Sequence, residues 1–149
     1  MDRDELGSLR ESIAYYYDQV APLLTQGYMT LYRALVLPED RPWRDALRLD
    51  RMGISWTFSR EDARVYHAED GESFSQEDAL DGVVVEAVVE ASAVNWETSM
   101  IHLSLYDEER EVRLLADRPL TITAVGDERL DPPLRANTGQ VTQRWHQGL

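Results

Sequence analysis

Three short segments hold side chains that can do chemistry: Leu31-Tyr32-Arg33-Ala34, Gly53-Ile54-Ser55-Trp56-Thr57 and Asp107-Glu108-Glu109-Arg110-Glu111-Val112. They offer a guanidinium, two strand hydroxyls and two carboxylates spaced two residues apart. Composition removes most other chemistries. There is no cysteine, which excludes thiolate nucleophiles, zinc–thiolate sites and disulfides together. The three histidines, at 67, 102 and 146, show no ligand spacing, so no metal site is expected. All 15 basic residues are arginine, which excludes a Schiff-base lysine and the lysine of a Walker A loop and disfavours ATP-dependent phosphoryl transfer. No Gly-x-Ser-x-Gly elbow supports a serine hydrolase. His67, near a helix end, and His102, flanked in a strand by apolar residues, read as structural.

Those side chains need elements to place them. From Asp4 to Gln26 the apolar residues Leu6, Leu9, Ile13, Tyr16, Tyr17, Val20, Leu23 and Leu24 recur at three- and four-residue steps. The spacing predicts one amphipathic helix, strained or ended near Pro22 and closed by Gly27. Core packing is the expectation for the run Tyr15-Tyr16-Tyr17. Tyr28 to Leu37, closed by Pro38, predicts a strand. On it Arg33 shares a face with Leu31 and Leu35, so its charge must reach the sheet's rim, pair with a buried acid or serve a ligand.

Residues 38–53 predict a loop with a short helical turn around Trp43, whose ring either covers the sheet end or stacks on a ligand. Ile54 to Phe58 predicts a strand with Trp56 facing away from Ser55 and Thr57. Ser59 is the expected cap of a helix over Arg60 to Ala68, with Glu61 and Asp62 in its first turn. Residues 69–82 read as an acidic solvated loop or mobile lid. Strands are expected over Val83–Val94, Met100–Leu105, Glu111–Ala116 and Leu120–Val125, with a turn over Asn95–Thr98. Patterning fades from Asp131, leaving 131–149 as a tail. The sum is one α+β domain over 1–149, an N-terminal helix with a largely antiparallel sheet.

The charge of −13, from 28 acids and 15 bases, repels polyphosphates and disfavours direct nucleic-acid binding. No run of eighteen apolar residues and no charged-then-apolar leader is present, so neither a membrane span nor a secretory signal is expected. A cytoplasmic location follows as the expectation.

The order and spacing of Arg33, Ser55-x-Thr57 and Glu109-x-Glu111 resemble the arginine–serine–glutamate class of mono-ADP-ribosyltransferases, over roughly residues 28–125. The resemblance implies a split antiparallel sheet that takes NAD as substrate and passes ADP-ribose to a protein target. Within it Glu111 matches the glutamate that supplies negative charge as the nicotinamide–ribose bond breaks. Cleavage of that bond builds an oxocarbenium-like cation, which a carboxylate stabilises. Glu109 matches the position that orients the acceptor, and a glutamate there goes with arginine acceptors. Arg33 matches the arginine that binds NAD phosphates or ribose, a role suited to a permanently charged fork of donors. Ser55 matches the serine that steadies the glutamate, and Thr57 the threonine that props the strand.

Each position also has a structural reading. Arg33 could be an ordinary paired strand arginine, Ser55 and Thr57 plain strand residues, and Glu108 to Glu111 a solvated turn. The arginines 41, 44, 48, 51, 60 and 64 either offset charge near the NAD phosphates or pair with Asp45, Asp50, Glu61 and Asp62. Two functions stay open on sequence. One is a bacterial or phage effector that ADP-ribosylates a protein, such as a host defence complex, in the host cytoplasm. The other is a non-enzymatic acidic phage inhibitor, a DNA mimic of the anti-CRISPR or anti-restriction kind that occupies a nucleic-acid-binding complex.

Overall fold

The computed structural model of the 149-residue chain describes residues 2–38, 40–66, 83–105 and 110–140. The expected acidic loop at 69–82, His67, Glu109, and the tail beyond residue 140 with His146 lie outside the described residues. Helix α1 (Arg3–Thr25) starts on a reciprocal cap. Asp2 accepts from the Glu5 N–H at 2.8 Å, and Glu5 accepts from the Asp2 N–H at 3.3 Å, which satisfies donors otherwise orphaned at a helix start. The helix runs through Pro22. The missing N–H costs one bond in the last turns, which the buried stripe of Tyr16, Val20 and Leu23 offsets. Of the three consecutive tyrosines only Tyr16 is buried, because a 100° step per residue turns its neighbours outward.

The α1 stripe packs on a six-stranded antiparallel sheet of order β4-β2-β1-β3-β5-β6. The strands are β1 (Tyr28–Leu35), β2 (Ser55–Thr57), β3 (Val83–Glu90), β4 (Glu111–Arg113), β5 (Pro119–Val125) and β6 (Glu128–Asn137). The β1–β3 ladder is unbroken from Tyr28↔Glu90 to Leu35↔Val83. Its register puts Leu31, Arg33 and Leu35 on one face with Val85, Ala87 and Val89. The apolar members of that face join Tyr16, Val20, Leu23, Trp56, Val112 and Ile122 in the core. By contrast β1 and β2 meet only at Tyr32↔Thr57, while β2 and β4 pair along their length from Ser55↔Arg113 to Thr57↔Glu111. The β2–β4 ribbon is thus joined to the main sheet at one point.

The remaining helices are α2 (Trp43–Ala46), α3 (Arg60–Tyr66) and α4 (Trp96–Leu105), with a 3-10 turn over Ala91–Ala93. Ser59 caps α3 as expected, its hydroxyl accepting the Asp62 N–H at 3.2 Å. Two expectations need correction. Met100–Leu105, expected as a strand, belongs to α4. Asn95 caps that helix, its side chain accepting the Thr98 N–H at 3.1 Å and its carbonyl the Ser99 N–H at 3.0 Å. Ser99 and Leu103, four residues apart, then share the buried face. A short apolar run does not distinguish strand from helix, and the cap decides it.

The chain also continues past Asp131 as β6 to Asn137. Pro132 and Pro133 hide this strand in the sequence. They fall where the ladder skips from Arg129↔Ala124 to Leu134↔Ile122, a bulge at which a missing N–H costs no ladder bond.

Candidate active site

The site is built around β4, an edge strand of the sheet. An edge strand of three residues has outward main-chain groups that need partners, and two helices supply them. From α1, the buried Tyr16 hydroxyl donates to the Glu111 carbonyl at 2.6 Å. From α4, the Ser99 hydroxyl accepts the Arg113 N–H at 2.8 Å, and the Asn95 N–H donates to the Arg113 carbonyl at 2.8 Å. Burial pushes the Tyr16 phenol up, against a hydrogen bond with Ser99 that pulls it down and the nearby charge of Glu111 that pushes it up. It therefore stays protonated and donating. Tyr16→Phe is expected to cost about 1–2 kcal/mol, because it leaves a buried carbonyl unsatisfied. Urea unfolding of the variant beside the parent measures this, and an unchanged midpoint would contradict the bond's role.

With its backbone fixed, β4 presents the Glu111 side chain, on a residue only 4% exposed, to Ser55, Arg113 and His102 among the described residues. The Ser55 hydroxyl donates to Oε1 from the adjacent strand. Arg113, two residues on and on the same face, donates to Oε2 through Nε at 3.2 Å and Nη2 at 2.9 Å. His102 Nδ1 lies 3.0 Å from Oε2. His102 thus stands in a helix, against the expected catalytic carboxylate, and not in a strand as a bystander. Burial raises the Glu111 carboxyl, but Arg113, Ser55 and His102 together outweigh it and hold the group below its ordinary 4.5.

A carboxyl depressed on folding stabilises the native state above its unfolded value, and the contribution is lost as pH falls through the lower folded value. The chain is therefore expected to lose stability on acidification below about pH 4.5, more steeply than Glu111→Gln, which has no carboxyl to protonate there. Urea midpoints measured from pH 6 to pH 2 check this. Parallel curves for the two proteins would contradict it.

Arg33 approaches the ribbon from the other side of the join. It is 4% exposed, and its Nη1 donates to the Ser55 carbonyl at 2.7 Å, where β1 and β2 no longer pair. Gly53 makes room: a Cβ there would stand 2.9 Å from the Arg33 Cζ, and the residue has a φ of +89°. Ser55 is the hinge of the arrangement, its carbonyl taken by Arg33 and its hydroxyl given to Glu111.

Thr57 ties the ribbon to its surroundings. Its hydroxyl donates to the Arg110 carbonyl at 2.8 Å and accepts the Ser59 N–H at 3.1 Å. Arg110, immediately before Glu111, has a φ of +53°. That left-handed conformation costs a non-glycine residue about 1 kcal/mol and is held here by the Thr57 bond. The Arg110 guanidinium lies 5.1 Å over the Tyr15 ring and 3.4 Å from Asp62. An open groove of about 320 Å³ borders this corner, lined in part by Glu11, Tyr15, Tyr16, Phe58, Leu103 and Arg110.

Of the residues expected in the site, Arg33, Ser55, Thr57 and Glu111 are gathered here, and Glu109 lies outside the described residues. Trp56 is fully buried in the core. Trp43 covers the sheet end, its indole N–H donating to Glu128 at 2.8 Å with the Arg44 guanidinium 4.5 Å over its ring. Arg44 is 3.7 Å from Glu128, and Arg60 donates to the Gly126 carbonyl at 3.2 Å. Among the described residues no cluster of histidine and carboxylate side chains could hold a metal ion, and no helix is long and apolar enough to cross a membrane. Comparison with protein-family models, with curated proteins and with solved structures finds no match to the chain.

Proposed function

We propose that this chain is a mono-ADP-ribosyltransferase-like domain that binds NAD and transfers ADP-ribose to a protein target. The single observation that carries the reading is the coupling of Arg33, Ser55 and Glu111 through one residue. Ser55 accepts from the arginine with its carbonyl and donates to the glutamate with its hydroxyl. The point-joined β2–β4 ribbon beside β1 supports the reading, since such enzymes use a split antiparallel sheet. The donor set also suits NAD, with a buried permanent cation for phosphate or ribose and a buried ionised carboxylate for the sugar.

NAD supplies a glycosidic bond between nicotinamide and ribose whose cleavage puts positive charge on the sugar. Glu111, ionised at neutral pH, offers the matching negative charge from a site that water barely reaches, where electrostatic stabilisation is strongest. Ser55 holds one oxygen of that carboxylate, and Thr57 holds the turn that leads into it. Arg33 fixes the start of β2 and presents its cation beside the junction.

Nicotinamide release from NAD by the purified protein, with a bacterial lysate as source of acceptors, tests the reading. Release above the rate of the lysate alone is expected. No release, together with no NAD binding by calorimetry, would end the transferase reading. The charge of −13 favours a second reading, an acidic inhibitor seated in the basic groove of a nucleic-acid-binding complex. That reading requires partner binding that weakens steeply between low and physiological salt.

A further inference from the structure

Among the described residues the Glu111 carboxylate has contacts from β2, β4 and α4, and the one from α4 has no counterpart in the arginine–serine–glutamate pattern. Ser55 and Arg113 reach it from β2 and from β4 itself, so both belong to the ribbon. His102 reaches it from the helical layer, 3.0 Å from Oε2, with its side chain 18% exposed and that of Glu111 3% exposed. His102 stands in the last turn of α4. The same helix grips the backbone beneath through Ser99 and Asn95 on Arg113. Helix α4 therefore holds the strand by its main chain and the glutamate by its side chain. Ser55 and Arg113 hold the two oxygens from within the ribbon, and the His102 contact on Oε2 ties the carboxylate to a separate rigid element, so that ribbon and carboxylate cannot shift together against the helical layer.

We propose that His102 is a positioning residue for Glu111, fixing the orientation of its carboxylate from α4 and thereby setting the rate of NAD cleavage without contributing to NAD affinity. The inference rests on the transferase reading for its kinetic consequence. Among the described residues, the groups facing the carboxylate include Ser55 from β2, Arg113 from β4 and His102 from α4, while Tyr16 from α1 donates to the Glu111 carbonyl and its phenol feels the carboxylate's charge.

The test compares the full chain with His102→Leu and His102→Asn, since asparagine can place an amide N–H where Nδ1 stands. Two readouts are used: nicotinamide release resolved into kcat and KM, and the Glu111 side-chain titration followed by carbon NMR. His102→Leu is expected to lower kcat roughly tenfold or more with KM within about twofold, and to raise the Glu111 midpoint. His102→Asn is expected to recover most of kcat. An unchanged kcat and midpoint in His102→Leu would overturn the proposal. So would a loss that tracks thermal unfolding and is not recovered by asparagine. If the parent chain neither cleaves nor binds NAD, the transferase reading fails by itself, and the titration still decides His102: a raised midpoint in His102→Leu supports its hold on the carboxylate, and an unmoved one overturns it.

Discussion

Glu111→Gln is expected to lower nicotinamide release roughly 10²–10³-fold while leaving a folded protein, the size of effect found when a preorganised electrostatic group is removed from a reacting centre. The amide has the shape of the carboxylate and keeps one oxygen as acceptor, but it carries no charge to set against the sugar. Its NH₂ group must also face Arg113 or Ser55. A donor facing Arg113 opposes two donors already aimed at Oε2, so about 2 kcal/mol of stability is lost as well. Rate and stability must therefore be read together, by release kinetics at a temperature where thermal unfolding shows the variant intact. A folded variant that releases nicotinamide at the parent's rate would remove Glu111 from the chemistry and leave the cluster as a structural ion pair.

The second large effect is expected at a residue with no reactive group. Gly53→Ala must place a Cβ 2.9 Å from the Arg33 Cζ, 3.0 Å from Nη2 and 3.1 Å from Nε, on a backbone with φ of +89°. The backbone conformation alone costs an alanine about 1–2 kcal/mol. The guanidinium has little room to retreat, since it is buried and donates to the Ser55 carbonyl. A total of about 2–3 kcal/mol is expected, with a melting temperature lower by on the order of 10 °C and weakened NAD binding through the displaced arginine. The contact part is separable, because an Arg33→Ala background removes the obstructing atoms and leaves only the backbone part. Urea unfolding of the two single variants and the double should then give a double-variant loss below the sum of the singles. Strict additivity would show that the glycine is needed for its backbone angle alone.

Local signals announced local structure. The three- and four-residue spacing of Tyr16, Val20 and Leu23 set α1 and its buried stripe, and Ser59 with Glu61 and Asp62 set the start of α3. Alternation placed Arg33 with Leu31 and Leu35, and Trp56 opposite Ser55, as the structure has them. The same rules misread two places. Met100–Leu105 is apolar enough for either element, and the Asn95 cap that decides for helix lies in what reads as a turn. In β6 the adjacent prolines mask a strand that accommodates them in a bulge.

For the site, Arg33, Ser55, Thr57 and Glu111 were legible as spaced residue types. The contacts that hold Glu111 were not. His102 reaches it only because residues 96–105 are helical, and Tyr16 reaches its carbonyl across 95 positions of sequence. Neither separation leaves a periodic trace.

The Tyr16 bond also bears on the order in which the molecule comes together. The part of the chain that resembles a transferase begins at residue 28, yet the glutamate at its centre is anchored by a helix that precedes it. Closing a loop of 95 residues is entropically expensive compared with closing the β5–β6 hairpin, whose strands are joined by Gly126 and Asp127. Contacts of such high sequence separation tend to form after the local ones. Hairpin and helix should therefore precede the docking of β4 between Tyr16 and Ser99, and the carboxylate reaches its folded position only when α1, β2 and α4 are all in place. A nascent or partly unfolded chain would then carry the glutamate without its setting, which under the proposed transferase reading confines the reaction to the finished fold.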